Sequence, residues 1–369
     1  MTASKVYFTD MRCKVGTSLL VKLDKLILAA GIDKIDFKDK YVAIKIHFGE
    51  PGNLAFLRPN FARVVADRIK ALGGKPFLTD SNTLYVGGRG NALDHLHSAA
   101  LNGYSELSTG CQNIIADGIK GTDEVEVPIA GGTYCKTALI GRAVMDADIV
   151  ISLNHFKGHE LTGFGGAIKN LGMGSGSRAG KMRMHCAGKP QVDSETCVNC
   201  RFCEQFCAQK AFSFGTGKAV IDHNKCVGCG RCIGVCNAHA IEPGDFSGSE
   251  DLNNRMVEYC KAVVDGRAHF HISVVNQVSP YCDCHGESDA AVVPDIGIFA
   301  SLDPVAIDKA CIDAVNAAPA VSTSILSERE HTHGDHFTDI HPKTDWRFQI
   351  SHAEKIGLGS GEYELVTIP

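Results

Sequence analysis

The chain is organised around two runs of four cysteines between residues 192 and 243. The runs consist of Cys197, Cys200, Cys203 and Cys207, followed by Cys226, Cys229, Cys232 and Cys236. Both read C-x2-C-x2-C-x3-C, and Cys226 lies 29 residues after Cys197, so a whole segment is duplicated. A repeat this short cannot bury a hydrophobic core of its own. The segment must therefore be held together by what its cysteines bind.

The spacing of these cysteines favours iron over zinc, although a zinc-binding module is the alternative. Structural zinc sites usually combine two C-x2-C pairs that are separated by a longer stretch of chain. Three cysteines at steps of three residues suit one face of a four-iron, four-sulfur cluster, and the fourth cysteine of such a run binds the other cluster. The predicted ligands are Cys197, Cys200, Cys203 and Cys236 for one cluster, and Cys226, Cys229, Cys232 and Cys207 for the second.

This duplicated segment resembles a bacterial two-cluster ferredoxin. The resemblance implies two 4Fe–4S clusters. One departure is visible, because Ala208 and Asn237 follow the fourth cysteines where the usual run has proline. Proline shapes that turn but binds no metal, so the predicted ligands are unchanged.

Strands and helices alternate on both sides of the cysteine segment. Predicted strands span residues 5–9, 41–48, 76–80, 113–116, 124–129, 148–153, 269–275 and 292–299. Predicted helices span residues 18–30, 59–72, 91–102, 137–146, 251–264, 303–316 and 346–356, and residues 331–346 are predicted to form a surface loop. Such alternation predicts an α/β fold with a mostly parallel sheet and helices on both faces. We expect one α/β domain, made of residues 1–186 and 250–369, that is interrupted by a ferredoxin-like module at residues 187–249.

Composition excludes several classes of protein. Hydrophobic residues make up 44% of the 369 residues and charged residues 21%, as in ordinary globular proteins. The formal net charge of −5 argues against nucleic acid or a membrane surface as a partner. No apolar stretch is long enough to span a bilayer. The cysteines are better explained by metal clusters than by disulfides of a secreted protein, so we expect a cytoplasmic location.

Residues 154–189, which directly precede the first cysteine run, form a second candidate site. They include six Lys or Arg residues, one Glu, three His and nine Gly. Glycine lets the backbone approach a ligand and present N–H groups to an anion, and α/β proteins bind ligands beyond the carboxyl ends of parallel strands. We therefore predict a site for an anionic small molecule, with a flexible connector as the alternative. The candidate catalytic residues are Lys157, His159, Lys169 and His185, and the candidate cofactor-binding residues are Gly165, Gly166 and Asn170.

Five motifs resemble iron–sulfur centre proteins that are built on domain of unknown function 362. The motifs are IKIHFGE at 44–50, DSNTLY at 80–85, HFKGH at 155–159, GGAIKNLG at 165–172 and DPVAID at 303–308. The resemblance covers nearly the whole chain and implies the interrupted α/β architecture. It implies no established reaction.

A more distant resemblance is to nickel-pincer lactate racemases. His159, Lys169 and His185 are spaced H-x9-K-x15-H. In those enzymes the first histidine is catalytic, the lysine carries the pincer nucleotide and the second histidine ligates nickel. The resemblance implies a shared fold and a reused pocket.

Cys282 and Cys284 are a further candidate for metal binding. Two soft thiolates one residue apart can bind one ion. A tight turn, or a segment that covers the edge of a cluster, is the alternative.

These observations predict an iron–sulfur protein that transfers electrons between two 4Fe–4S clusters and a small-molecule site in its α/β domain. The redox partner is unknown, because the chain has no flavin or nicotinamide fingerprint. Two alternatives stay open: an electron carrier or docking subunit for a larger redox enzyme, and a racemase-like non-redox enzyme with structural clusters. Residues 191–245 contain six acids and five bases. A mobile carrier would be expected to show a stronger field of one sign, so this balance favours an embedded relay.

Overall fold

The computed structural model describes residues 3–84, 87–186, 189–207, 209–226, 231–234, 236, 238, 240–243, 248–329 and 333–369. Its strands are β1 (Ser4–Asp10), β2 (Tyr41–Lys45), β3 (Lys75–Asp80), β4 (Asn113–Ile115), β5 (Glu124–Pro128), β6 (Thr137–Gly141), β7 (Ile149–His155), β8 (Lys157–His159), β9 (Gly163–Gly165), β10 (Pro190–Val192), β11 (Phe212–Ser213), β12 (Val220–Ile221), β13 (Ile241–Pro243), β14 (Ala268–Val275), β15 (Gly297–Ser301) and β16 (Tyr363–Thr367). Its α-helices are α1 (Leu19–Ala29), α2 (Pro59–Ala71), α3 (Ala92–Leu101), α4 (Glu106–Thr109), α5 (Arg142–Asp146), α6 (Ala167–Ser175), α7 (Arg178–Cys186), α8 (Phe202–Phe206), α9 (Arg231–Gly234), α10 (Ser249–Val264), α11 (Pro304–Ala317), α12 (His336–Ile340) and α13 (Arg347–Lys355). Short 3-10 helices span Ile32–Lys34 and Ile325–Glu328.

Within the described residues, the central sheet has eight strands in the order β16-β1-β15-β14-β7-β2-β3-β4. Neighbouring strands are parallel, except that β15 runs antiparallel to both β1 and β14. The predicted α/β fold with a mostly parallel sheet is confirmed. Strands from before and after the cysteine segment share this sheet, since β14 pairs with β7.

Alternate residues of the central strands contribute to two hydrophobic cores, one on each face of the sheet. Val42 and Ile44 of β2 belong to the core that includes α1 and α2. Ala43, between them, belongs to the core that includes α6, α10 and α11. This two-residue period is expected of a strand buried on both faces. Helices therefore cover both faces, as the sequence predicted.

Two helix starts follow their sequence signals closely. The Ser18 side chain accepts the N–H of Val21 at the beginning of α1. Asp303 accepts the first free N–H groups of α11, and Pro304 occupies the first helical position, where no N–H is needed. These helices begin where the capping residues predict.

Three predicted elements differ from the structure. The predicted helix at residues 137–146 is β6 followed by the short α5, because its first half pairs with β5 in a separate two-stranded sheet. The predicted strand at 292–299 begins only at Gly297, although Val292 and Val293 are buried. In the predicted loop at 331–346, the described part contains α12, whose Phe337 is fully buried. Residues 331 and 332 lie outside the described residues.

In the part of the cysteine segment that the structure describes, equivalent contacts recur at the 29-residue offset between Cys197 and Cys226. The strand that leads into each copy pairs with the strand that ends the other, β10 with β13 and β12 with β11. The backbone N–H of Asp193 bonds to Ala240 O, and at equivalent positions the N–H of Asp222 bonds to Ala211 O. The internal repeat of the sequence is therefore also an internal repeat of the structure.

No helix among the described residues combines the length and the apolar character that are needed to cross a membrane.

Candidate functional site

A cavity of about 340 Å³ lies at the carboxyl ends of the parallel strands β2, β3 and β7. Residues at or directly after the ends of these strands line it, namely Lys45, His47, Asp80, Ser81, Asn154 and His155. Parallel strands bring their carboxyl ends to one edge of a sheet, where α/β proteins bind their ligands. Strand β8, helices α6 and α7 and the loop at 284–285 supply further walls.

The described lining of this cavity has an excess of positive charge. Its cations are Lys45, Arg89, Lys157, Lys169 and Lys181, against two carboxylates, Asp80 and Glu160. Four of the five cations are buried, and Lys169 is partly buried. Fixed charges act more strongly when low-dielectric walls surround them. Carboxylates outside the lining pair with two of these cations, Glu50 with Arg89 and Asp283 with Lys157, and binding of an anion stays a prediction.

Asp80 anchors the two cations that come from β2 and from the loop after β3. Its Oδ1 lies 2.8 Å from Lys45 Nζ, and its Oδ2 lies 3.6 Å from Arg89 Nη1. Burial would raise the pKa of Asp80, but Lys45 and then His95 outweigh burial and hold the pKa well below its usual value. Arg89 Nε also pairs with Glu50 at 2.8 Å. These groups form a buried ion-pair network beside the cavity.

Asn170, a predicted cofactor-binding residue, lines the cavity but is held by protein groups. Its Oδ1 accepts from Lys45 Nζ at 3.0 Å, and its Nδ2 donates to Lys45 O at 2.8 Å and to Ser152 Oγ at 2.9 Å. Asn170 therefore positions Lys45 and joins α6 to β2 and β7. Its role towards a cofactor stays a prediction.

Gly165 and Gly166, the other predicted cofactor-binding residues, are not among the described residues that line the cavity. A Cβ at Gly165 would lie 3.1 Å from the Lys169 side chain, so glycine makes room for that lysine. A Cβ at Gly166 would collide with Asp308, whose carboxylate accepts the first two N–H groups of α6. The start of α6 is therefore capped by Asp308. It does not offer these N–H groups to an anion, and the cofactor-binding role of Gly165 and Gly166 stays a prediction.

Lys157 and His159 reach the cavity from β8, where residues two apart share a face. Gly158 lies between them, and a Cβ there would approach Pro280 O to 2.4 Å. Only glycine therefore lets β8 pack this closely on the loop that follows β14. The same loop provides Asp283, whose Oδ2 lies 3.5 Å from Lys157 Nζ.

His159 and Lys169 converge on Cys282 and Cys284. Lys169 Nζ lies 3.1 Å from Cys282 Sγ. One ligand atom each of His159, Cys282 and Cys284 lie within 4.8 Å of one another, a grouping of a kind that could hold a metal ion. The structure thus adds a histidine and a lysine to the cysteine pair that the sequence singled out.

The two cysteines differ sharply in acidity. A hydrogen bond from the Cys284 thiol is the largest cause that holds the pKa of Cys282 well below its usual value, and Lys169 and His159 add to it against the effect of burial. The same hydrogen bond raises the pKa of Cys284 well above its usual value. Burial would lower the pKa of Lys169, but the two cysteines outweigh burial and raise it. Of the two cysteines, Cys282 is therefore the one that loses its proton first.

Lys181 and His185 lie one turn apart on α7 and also line the cavity. Burial, followed by the positive charges of His159 and Lys169, lowers the pKa of His185 to about 3. Burial likewise lowers the pKa of Lys181 to about 8. His185 is therefore neutral near pH 7. The cavity brings together all four predicted catalytic residues, whose catalytic roles stay predictions.

Lowering the pH from about 7.5 to about 5.5 is expected to destabilise the protein through His185. Its pKa is about 3 when folded and roughly 6.5 in an unfolded chain. The unfolded state therefore binds the proton first, and stability falls as the pH drops below about 6.5. The loss of free energy of unfolding approaches about 1.4 kcal/mol per pH unit.

Denaturant unfolding at several pH values should show a smaller pH slope of the free energy of unfolding for His185→Gln. Exposed His97 is the control, and equal slopes for His185→Gln and His97→Gln would contradict the assignment.

The predicted ligands of the first cluster share a second, smaller cavity. Its lining includes Cys197, Cys200, Cys203 and Cys236. Backbone N–H groups of Ala219 and Ala240 donate to the sulfurs of Cys197 and Cys236 at 3.4 Å and 3.2 Å. Cysteines from both runs therefore line one space, and their role as the ligands of one cluster stays a prediction.

The second predicted set is described in part. Cys207, Cys226 and Cys232 are described, whereas Cys229 lies outside the described residues. The N–H of Ala211 donates to Cys207 Sγ at 3.4 Å. This bond is the equivalent, in the other copy, of the bond from Ala240 to Cys236.

An apolar wall is shared by the cysteine segment and the large cavity. Leu84 is buried in one hydrophobic cluster with Cys197, Cys203 and Cys236, and Leu84 also lines the large cavity. Met182 of α7 belongs to the same cluster. Helix α7 therefore contacts the cavity through Lys181 and His185 and the cysteine segment through Met182.

Sequence analysis missed Lys45, Asp80 and Arg89 as site residues. Two of them carried a usable signal: Lys45 interrupts the apolar run at 41–48, and Asp80 ends the next predicted strand. A charged residue at the end of a buried parallel strand is expected at the ligand-binding edge. Arg89 follows a loop and shows no comparable pattern.

Several solved structures are similar to this chain, and two of them serve as examples. One is the lactate racemase apoprotein from Thermoanaerobacterium thermosaccharolyticum, with 13% identity, a TM-score of 0.37 and coverage of 74% of this chain and 51% of that one. The other is a protein from Thermotoga maritima, with 12% identity, a TM-score of 0.39 and coverage of 80% and 58%. This chain thus spans little more than half the length of either structure. A search of curated proteins finds no match.

A family model matches residues 42–313, which is more than half of the 369 residues. The matched range contains β2 from its second residue, the whole of β3 and β7, the lysines of the large cavity and both cysteine runs. The chain therefore belongs to the family described as Domain of unknown function (DUF362).

Proposed function

We propose that this protein is an iron–sulfur oxidoreductase. On this proposal its eight ferredoxin-like cysteines hold two 4Fe–4S clusters, and electrons pass between them and an anionic small molecule bound in the large cavity. When bound, such clusters supply single electrons, at potentials set by their hydrogen bonds and exposure. Binding of the anion, its orientation and the supply of protons fall to the side chains of the cavity.

Three features of the cysteine segment fit such a cluster. The first four predicted ligands line one space, and N–H groups donate to two of their sulfurs. Asn199 and Arg201, between these cysteines, have φ of 56° and 62°. Left-handed residues in a loop turn successive N–H groups towards one point and form a nest for an anion, as at many iron–sulfur sites. Non-glycine residues adopt this conformation at a cost, which a bound cluster would offset.

The observation that carries the proposal is the wall shared by the cysteines and the cavity. Leu84 belongs to both, and Met182 lies between two cavity residues on α7. An electron carrier that only docked its α/β domain onto a partner would have no need of a cationic cavity against its cysteine segment. This contact therefore favours chemistry in the cavity over the carrier alternative.

The side chains of the cavity support binding of an anion together with transfer of a proton. Lys157, Lys169 and Lys181 supply the positive charge. His185 is held neutral by burial and by the nearby positive charges, so it would take up a proton only once the negative charge of a bound anion offsets them. Leu161, Met173 and Leu252 supply apolar lining that limits access of water.

Replacing Lys169 by alanine is expected to weaken anion binding about ten- to a hundredfold, since a charge-assisted contact contributes about 1.5–3 kcal/mol. Isothermal titration calorimetry with oxalate and with inorganic phosphate measures this affinity. The iron content should stay unchanged, because Lys169 is not a proposed ligand of a cluster.

Lys120→Ala is the matched control, since Lys120 is exposed and does not line the cavity. This variant should bind the anion as tightly as the unchanged protein. The proposal of an anion site would fail if Lys169→Ala and Lys120→Ala bound both probes with the same affinity.

A further inference from the structure

Cys282 and Cys284 lie on a tight turn whose backbone is fixed by its surroundings. The N–H of His285 bonds to Cys282 O at 3.1 Å and closes the turn. Between the cysteines, Asp283 accepts the N–H of Glu50 through its backbone carbonyl at 3.0 Å. Its buried carboxylate lies 2.9 Å from His155 Nδ1. The turn therefore holds both sulfurs in place beside the cavity.

One sulfur is buried and the other is accessible. Cys282 is fully buried, whereas Cys284 lines the cavity. Lys169 Nζ donates to Cys282 Sγ at 3.1 Å, and the N–H of Cys284 donates to it at 3.4 Å. The inner sulfur is thus surrounded by donors, and the outer one faces the space where a ligand would lie.

The hydrogen bonds of His159 favour a thiol pair over a metal site. Its Nδ1 accepts the N–H groups of Leu161 and Thr162 at 3.1 Å and 3.2 Å. Backbone N–H groups can only donate, so the ring hydrogen of neutral His159 is on Nε2. A nitrogen that carries hydrogen cannot ligate a metal. The Lys169 ammonium beside Cys282 would also repel a bound cation. The cluster therefore stabilises a thiolate better than it stabilises a metal ion.

We propose that Cys282 and Cys284 form a redox-active dithiol, which is converted to an intramolecular disulfide in the wall of the cavity. The source of its electrons and the anion bound beside it both rest on the proposed function, whereas formation of the disulfide does not. The pair would store two electrons next to the bound anion, so the substrate class is an anionic molecule whose oxidation or reduction takes two electrons.

The reaction balances without an unnamed reactant. Reduction breaks the Sγ–Sγ bond with two electrons and one proton, leaving Cys282 as a thiolate beside Lys169 and Cys284 as a thiol. Oxidation forms the bond and passes the same two electrons and proton to the bound anionic molecule, which is reduced; with a substrate that is oxidised, the electrons run the opposite way. A disulfide needs Cα atoms roughly 4.4–6.8 Å apart. Two residues of an extended strand span about 6.6 Å, and the turn at 282–285 brings its residues closer than that.

The test uses anaerobically purified full-length protein and measures the mass of a single peptide. Trypsin cleaves after Arg267 and Lys309 and releases residues 268–309, whose cysteines are Cys282 and Cys284. After treatment with diamide and then iodoacetamide, this peptide should carry no alkyl group and weigh two hydrogen atoms less than the thiol form. Dithiothreitol should restore two alkylation sites. Cys282→Ser and Cys284→Ser are the controls, since neither can lose two hydrogens.

A second arm separates this inference from the proposed function. Reduced methyl viologen, a one-electron donor, should reopen the disulfide in the unchanged protein but not in a variant with Cys197 and Cys200 both replaced by serine. Dithiothreitol should reopen it in both proteins. Failure of methyl viologen alone would count against the proposed function and leave the dithiol standing. The dithiol proposal would be overturned if the peptide stayed in the thiol form after diamide. It would also be overturned if the intact protein held a stoichiometric metal ion that both serine variants had lost.

Discussion

Replacing Cys203 or Cys207 by serine is expected to remove about four of about eight irons per chain, with a different centre lost in each variant. Cys203 lies within the short helix α8 and Cys207 directly follows it, so the two are only four positions apart. Cys203 nevertheless shares its space with Cys197, Cys200 and Cys236. Cys207 belongs to the set predicted with Cys226, Cys229 and Cys232.

Iron and acid-labile sulfide assays on anaerobic protein, together with electron paramagnetic resonance (EPR) spectra of the reduced samples, would distinguish the two centres. The spectrum that remains in one variant should be absent from the other. Exposed Cys13 is the control, and its serine variant should retain about eight irons. If both variants lost the same centre, each run would bind its own cluster and the interleaved assignment would be wrong. Stoichiometric zinc with little iron would contradict the clusters altogether.

Replacing Asp80 by alanine is expected to lower the free energy of unfolding by about 3–5 kcal/mol. Asp80 is 2% exposed and lies within 2.8 Å of Lys45 and 3.6 Å of Arg89. Without the carboxylate of Asp80, the buried positive charges of Lys45 and Arg89 would lose a negative charge that both of them pair with. Removal of one partner from a buried ion pair leaves the other charge desolvated and unpaired, which is why the expected cost is large.

Asp123 provides the matched control for this measurement. It pairs with Arg142 at 2.7 Å, but both side chains are about half exposed, so Asp123→Ala should cost less than about 1 kcal/mol. Denaturant unfolding under anaerobic conditions compares the two variants with the unchanged protein. If both variants lost a similarly small free energy of unfolding, the ion pairs of Asp80 would not stabilise the fold more than an exposed pair does.

Much of the fold was predictable because its signals are local. Ser18 and Asp303 begin their helices through side-chain caps that need only a few neighbouring residues. The cysteine repeat is visible in the sequence itself and returns as the paired strands β10–β13 and β11–β12. The segment from Lys157 to His185 reaches one cavity because it follows the carboxyl end of β7. In these cases a short stretch of chain carries enough information to fix its own position.

The remainder depends on contacts between distant segments, which one sequence does not display. Asp308 caps α6 from a position about 140 residues away in the chain. Cys282 meets Lys169 only after β14 has been placed beside β7. The helix predicted from residue 137 is a strand because β5 offers it a partner. Tertiary pairing outweighs local propensity in such cases.

The central claim is that electrons pass between the cysteine segment and an anion in the cavity. A redox titration of anaerobic protein, followed by EPR with and without saturating oxalate or phosphate, tests it most directly. A negative charge beside the wall at Leu84 disfavours addition of an electron on its far side. We predict that the bound anion lowers the midpoint potential of the centre held with Cys203 by on the order of tens of millivolts. Lys169→Ala should lose this shift at the same anion concentration. Identical potentials with and without a bound anion would contradict the account.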